Sequence, residues 1–304
     1  MMSSTTRVFR PEWLVIVGRA ARSRRGAIGL TIAGIVFLIA FVGPWVAPYS
    51  PITTVTEAFA SPSWAHPLGA DGLGRDVFSR VLAGGWKLLI IAGAATTFGM
   101  ALGVALGVTA AYYGRATDGL IMRVVDVFLA FPQLVFGLLL VSLIGPEVWL
   151  IVVAVGISHA AQVARVIRSV SIDVCERNFV KAVELMDVPT PKVIIGEVIP
   201  NLVSVVMVDI GLRFTYSIMI IAGLSFLGFG IQPPEANWGL MIDENRIGLL
   251  VNPWAVVVPV ALVALVTIGL STFTDAIARA SLGVNRPAEE LAMTSGIVLD
   301  DGKL

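Results

Sequence analysis

The chain is poor in the residues that do chemistry. Its 304 residues include one cysteine and two histidines. A lone Cys175 excludes an intrachain disulfide. His66 and His159 lie far apart and match no metal-ligand spacing, so no metal site is expected. His159 falls inside an apolar run and reads as a packed or hydrogen-bonded residue. No G-x-x-x-x-G-K-[ST] stretch occurs, so the chain has no cradle of that kind for ATP and no cofactor of its own is expected. No G-x-S-x-G elbow occurs either: Ser225 sits in Gly-Leu-Ser-Phe-Leu, without the second glycine. Charge is scarce too, at 14% of residues, and balanced at 21 basic against 21 acidic, which gives no footprint for nucleic acid.

What the chain has is apolar length. Hydrophobic residues make up 57% of it, and mean hydropathy is +0.88. That excludes an ordinary soluble domain and predicts an all-α polytopic membrane protein. Runs near the ~20 residues needed to cross a bilayer lie at 27–47, 88–112, 120–144, 149–170, 202–221 and 254–278, giving six spans. Residues 1–26 are arginine-rich around Trp13-Leu-Val-Ile-Val17, which reads as an interfacial helix or a frayed tail. The loop 48–87 carries Asp71, Arg75 and Asp76, either a contact site or a pairing that fixes the loop before a short amphipathic helix.

The second span has small residues at strict four-residue spacing: Ala95, Gly99, Gly103, Gly107 and Ala111. In lipid such a stripe lets helix backbones approach closely, so this helix is expected to be buried against others. Pro132, in the middle of the third span, is expected to kink it. Asp126 beside Arg123 reads as a local ion pair first and a pathway residue second. Asp209 and Arg213, four residues apart in the fifth span, should pair or face a polar cavity. With Pro132 they are the candidate translocation-pathway residues. The Gly- and Pro-rich stretch 224–235 reads as a re-entrant or loop segment, and the polar tail 284–304 as disordered.

Between the fourth and fifth spans the sequence turns polar, at 176–201. Phe179, Val183 and Met186 recur at i, i+4 and i+7, one face of a helix. Asp187-Val-Pro-Thr-Pro191 breaks it. Thr190 then reads as the N-cap and Pro191 as the first residue of a second helix, over 192–199, with Pro200 at a junction. A helix–turn–helix held between two spans is the pattern of a docking surface. Lys and Arg concentrate at the N-terminus, near Arg115 and Arg123, in and before this segment, and in the tail, which places both termini and the segment in the cytoplasm.

In order along the chain, Val46-Ala-Pro-Tyr49, His66-Pro-Leu-Gly-Ala-Asp71 with Gly74-Arg-Asp-Val77, Asp126-Val-Phe-Leu-Ala-Phe-Pro132, Leu224-Ser-Phe-Leu-Gly-Phe-Gly-Ile-Gln-Pro-Pro234 and Asn237-Trp-Gly239 look like family signatures. The sequence resembles the inner-membrane permease subunits of ABC importers, closest to the C-type subunit of dipeptide, oligopeptide and nickel systems. The resemblance covers about residues 20–283. It implies one N-terminal helix plus a five-helix core over 88–283, with a cytoplasmic coupling helix in 176–201.

By the same resemblance the coupling residues are Phe179, Lys181, Ala182, Val183, Met186, Asp187, Val188, Pro189, Thr190 and Pro200. Only Ala182 and Pro200 keep the strict family pattern. Lys181 stands where the family has Glu, Val183 where it has a second Ala, Asp187 where it has Gly, and Ile199 where it has Leu. Ile221 stands where peptide relatives often carry Glu. The resemblance further implies a second homologous permease, cytoplasmic ATPase subunits that hold ATP and magnesium, an external substrate-binding protein, and the bacterial inner membrane. Di- or oligopeptides are the expected cargo, with nickel or another small solute as the alternative. The rival from another class is a secondary transporter needing no ATPase.

Overall fold

In the computed structural model, residues 12–282 are described, and they are predominantly helical. The tail 284–304, expected to be disordered, lies outside them. An amphipathic helix α1 (Glu12–Arg22) leads through Ser23 into α2 (Arg24–Val46). Short α3 (Val77–Ala83) precedes α4 (Trp86–Tyr113). Next come α5 (Arg115–Leu129), α6 (Gln133–Ile144) and α7 (Val148–Cys175). The polar segment forms α8 (Asn178–Leu185) and α9 (Thr190–Val193). A π-helical turn, Ile194–Val198, joins α9 to α10 (Ile199–Phe226). The chain closes with α11 (Trp238–Asn245) and α12 (Trp254–Ser281).

Among the described residues five helical stretches are long and apolar enough to cross a membrane, or six if the bent pair α5–α6 counts as one. That pair corrects the sequence reading. A kink was expected at Pro132, but the structure has two helices bent by 82°. Ala130–Pro132 lies outside both, with Pro132 preceding α6 in extended ψ. The ring of a proline disfavours an α conformation just before it, and its missing N–H cannot continue the helical ladder, so the break is complete.

Close backbone approach sets the packing. α4 lies along α7, where a Cβ on Gly99 would fall 2.7 Å from the Gly156 carbonyl oxygen and one on Gly107 2.7 Å from that of Ala164. A Cβ on Gly103 would fall 2.5 Å from the Val163 Cβ and 2.8 Å from the Ala160 carbonyl oxygen, and Ala95 is fully buried in the same row. Ala111, at the end of the stripe, is half-buried. α2 crosses α12 in the same way, with Gly29 against Gly269. The main core gathers Leu88, Ile151, Ile218, Ile221, Leu224 and Trp238 from α4, α7, α10 and α11.

The end that carries the loop 48–87 is held by charge. Asp71 accepts from Arg75 Nε at 2.6 Å and from the backbone N–H groups of Leu73 and Arg75 at 2.9 Å each. Glu244, on α11, accepts from Arg75 at 2.9 Å and from Arg80 at 2.7 Å. Asp76 caps α3 through Ser79 and meets His66 Nδ1 at 3.0 Å. Of the two sequence readings, the loop-fixing pairing is the one observed, since Asp71, Arg75 and Asp76 are all buried. The Trp238 indole N–H donates to the Val81 carbonyl at 2.8 Å and pins α11 against α3.

Two outcomes test this packing. Gly103→Leu should lower the stability of the purified chain in detergent by about 1–3 kcal/mol through overpacking. Gly18→Ala, where nothing lies within 4 Å in the interior of α1, should not lower the melting temperature and should raise it slightly. Glu244→Ala should cost about 1–3 kcal/mol, because Arg75 and Arg80 lose one of the two carboxylates they share and keep only Asp71. An unchanged melting temperature for either Gly103→Leu or Glu244→Ala would contradict the geometry above.

Candidate functional site

α7 continues as helix to Cys175, and two residues later the chain turns into α8. The segment is amphipathic in an unusual sense, because both its faces carry apolar groups. Val180, Val193 and Val198 are fully buried, in a cluster with Val108, Val163, Ile167, Val174 and Leu202. Val183 and Val188 pack against that cluster from its edge. The outer face of α8 presents Phe179, Ala182, Leu185 and Met186. Leu185 is 89% exposed and Met186 74%. Phe179, Val183 and Met186 therefore do not share one face as the spacing implied. Val183 turns inward, and Leu185 takes its place on the outer ridge.

Lys181 and Glu184 are exposed beside the ridge. Asp187 ends the helix with φ of +59°. Its N–H donates to the Glu184 carbonyl at 3.1 Å, a left-handed cap. Glycine fits such a position best, and aspartate is among the few other residues that tolerate it. The departure from glycine at 187 thus preserves the turn.

One capping expectation is corrected. Pro189, not Thr190, occupies the N-cap of α9, and no side chain caps it. Thr190 is the first helical residue, and with Glu184 it meets Tyr112 at the end of α4. Pro200 stands at a junction, as the sequence implied, in the first turn of α10. The π-helical turn just before it, closed by Ile199 N–H onto the Ile194 carbonyl, lets one helix axis continue from Thr190 into the span. Pro200 and Pro189 are both exposed.

The pathway candidates lie apart. Pro132 is exposed at the bend between α5 and α6. Asp209 and Arg213 are buried and paired at 3.0 Å, and Arg213 also donates to Gln162 on α7. One turn further along α10, the Ser217 hydroxyl meets both Thr96 of α4 and His159 of α7 at 2.9 Å. His159 is fully buried and hydrogen-bonded, in line with the reading of it as a packed residue. Asp126 pairs with Arg165 of α7, not with Arg123, and Asp118 pairs with Arg168. Among the described residues no three His, Cys, Asp or Glu side chains gather into a metal-binding group.

Residues 103–281 match the family model for the binding-protein-dependent transport system inner membrane component. This chain belongs to that family. Residues 13–62 match a second model, the N-terminal transmembrane domain of oligopeptide transport permease C. The permease is 32% identical over 260 residues to a Brucella ovis protein named as a peptide permease, covering 84% of this chain and 86% of that one. It is 30% identical to a dipeptide transport system permease protein of Alkalihalophilus pseudofirmus, covering 86% and 87% of the two chains. It is 33% identical to a Brucella suis protein named as a peptide transport system permease, covering 75% and 77%. The permease is thus a multi-pass membrane subunit of an ABC transport system.

Sequence reasoning missed Leu185 and Tyr112. Leu185 follows Ala182 by three residues and could have been found from the outer-face spacing. Tyr112 carries no signal in the sequence, because only the fold brings it to Glu184 and Thr190.

The turn has its own test. Asp187→Gly should stabilise the segment by about 0.5–1 kcal/mol, and Asp187→Val should destabilise it by about 1–2 kcal/mol. Amide hydrogen exchange over α8 should slow in the first variant and quicken in the second. Equal exchange in both would show that residue 187 does not adopt a positive φ.

Proposed function

We propose that the permease forms half of the translocation pathway of an ATP-driven, binding-protein-dependent importer of di- or oligopeptides. The observation that carries the coupling role is the ridge of Phe179, Ala182, Leu185 and Met186. It is apolar and exposed, and it sits on a charged segment that composition assigns to water. An apolar ridge in water marks a protein contact rather than a lipid one. Its partner is a groove on a cytoplasmic ATPase subunit. Both termini and the segment face the cytoplasm, as the distribution of Lys and Arg supports.

In this mechanism the chain does no chemistry. ATP and magnesium belong to the ATPase subunits. Closure of those subunits on ATP displaces α8, and α8 is continuous with two spans, α7 before it and α10 after it. A second permease completes the pathway, and an external binding protein delivers the cargo. The pathway then alternates between outward- and inward-facing states. Asp209 and Arg213 lie between α10 and α7 in this conformation, so they would meet cargo only if those helices part. Peptide cargo is supported by the names of the relatives, and no observation favours nickel or an ATP-independent carrier.

The test is co-purification of the tagged chain with its neighbouring gene products in mild detergent. The wild type should retain a second permease and an ATPase. Ala182→Glu should lose about tenfold or more of the ATPase, because docking would bury a carboxylate against Phe179 and Leu185. It should keep the second permease. Lys181→Glu should bind normally, since residue 181 lies beside the ridge. Undiminished ATPase binding by Ala182→Glu would remove the coupling assignment. Transport by this chain alone in ATP-free liposomes would replace the importer with a secondary transporter.

A further inference from the structure

Most arginines that pack between elements of this protein lean on a carboxylate. Arg75 and Arg80 share Glu244, Arg165 has Asp126, Arg168 has Asp118, Arg213 has Asp209 and Arg246 has Asp243. One cluster breaks that habit. Where α1 hands over to α2, a cavity of about 300 Å³ is lined by Ser23, Arg24, Arg25, Ala276 and Arg279. Three arginines line it and, among the described residues, no carboxylate does. None of the three has an ion-pair partner among the described residues. Asp275 is exposed one turn before Arg279 on α12 and does not line the cavity. Arg22 is exposed at the end of α1 and adds to the positive side of the balance.

The cavity is built into the fold. The Ser23 hydroxyl donates to the Ala20 carbonyl at 2.7 Å and accepts from Gly26 N–H at 3.0 Å, so the corner between α1 and α2 is fixed and this hydroxyl is already used. Gly26 lies so close to the Ala20 backbone that a side chain there would clash. Ala20 in turn is fully buried against Ala276, Ile277 and Ala280 of α12. The corner therefore holds Arg24 and Arg25 beside Arg279, which comes from the far end of the sequence.

We propose that this cavity binds the phosphate of an anionic phospholipid headgroup. Guanidinium forks match phosphate oxygens in paired hydrogen bonds, and three of them together suit a phosphodiester whose headgroup carries no amine to neutralise it. The surroundings favour a lipid over a free anion. α1 exposes Trp13 and Leu14, an aromatic and an aliphatic side chain of the kind that settles into a membrane interface. Below the cavity, α2 exposes Ile28, Ile35 and Leu38, a surface for acyl chains. The bound lipid would join the α1–α2 corner to the end of α12. This assignment needs only that α2 and α12 cross a membrane, and it is independent of cargo and of ATPase docking.

The test uses the full chain, delipidated in detergent and examined by native mass spectrometry. The probes are phosphatidylglycerol, phosphatidylcholine and inorganic phosphate, added separately. The wild type should bind one phosphatidylglycerol about tenfold or more tightly than phosphatidylcholine. The preference should fade as salt rises from 0.1 to 1 M, an effect that needs no variant. Arg24→Gln/Arg25→Gln/Arg279→Gln should abolish the preference, while Arg115→Gln/Arg123→Gln, two exposed arginines elsewhere, should keep it. If the triple glutamine variant does not fold, Arg24→Lys/Arg25→Lys/Arg279→Lys keeps the charge without the forks and should reduce the preference without abolishing it. Equal binding of the two lipids by the wild type, or a preference that survives in the triple glutamine variant, would overturn the site. Occupancy by millimolar inorganic phosphate with no preference between the lipids would show a free-anion site and overturn the lipid assignment.

Discussion

The backbone contact between α4 and α7 is the constraint on which the rest depends. In lipid no hydrophobic force draws two apolar helices together, so dispersion at very short range must do so. Gly99, Gly103 and Gly107 provide that range by placing α4 directly on the carbonyls of α7. Both helices then end at the polar segment. α7 hands the chain to α8 within two residues, and α4 brings Tyr112 to Glu184 and Thr190. A displacement of α8 therefore acts on a packed pair of spans rather than on a single helix.

α10 joins this pair by different means. Ser217 bonds to Thr96 and His159, and Arg213 bonds to Gln162 and Asp209, all at membrane depth. Such bonds are directional and have few alternatives in a low-dielectric setting, so they favour discrete arrangements over gradual sliding. The two ends of the bundle differ in the same physical terms. The end around Asp71, Arg75, Arg80 and Glu244 is closed by buried charge. The other end leaves an apolar ridge and an arginine cluster with no ion pair among the described residues, which are features that call for partners.

The spans were legible because hydropathy and length decide them. The helix of the second span begins two residues earlier and ends one later than the apolar run. α7 runs five residues past its apolar run, because Ser171 and Asp173 stay helical after hydropathy has fallen. What sequence could not settle was every choice between two compatible faces or partners. α8 has valines on one side and Phe179, Ala182, Leu185 and Met186 on the other, so periodicity alone cannot say which side is inside. Asp126 had an arginine nearby in sequence and took one from another helix instead. Pro132 and Pro200 look alike as helix breakers. At Pro132 the chain bends by 82°, and at Pro200 a π-helical turn absorbs the missing N–H. That difference lies in the surrounding backbone, not in the residue.

The outer ridge of α8 is proposed to seat against an ATPase subunit. The chain's single cysteine makes the direct measurement simple. With Cys175→Ser as background, Leu185→Cys places one thiol on the ridge, in the assembled transporter, for reaction with a short thiol-specific photocrosslinker. Crosslinking to the ATPase subunit, changing in yield when ATP is added, is the predicted result. Crosslinks to lipid alone, or to no subunit, would contradict the account.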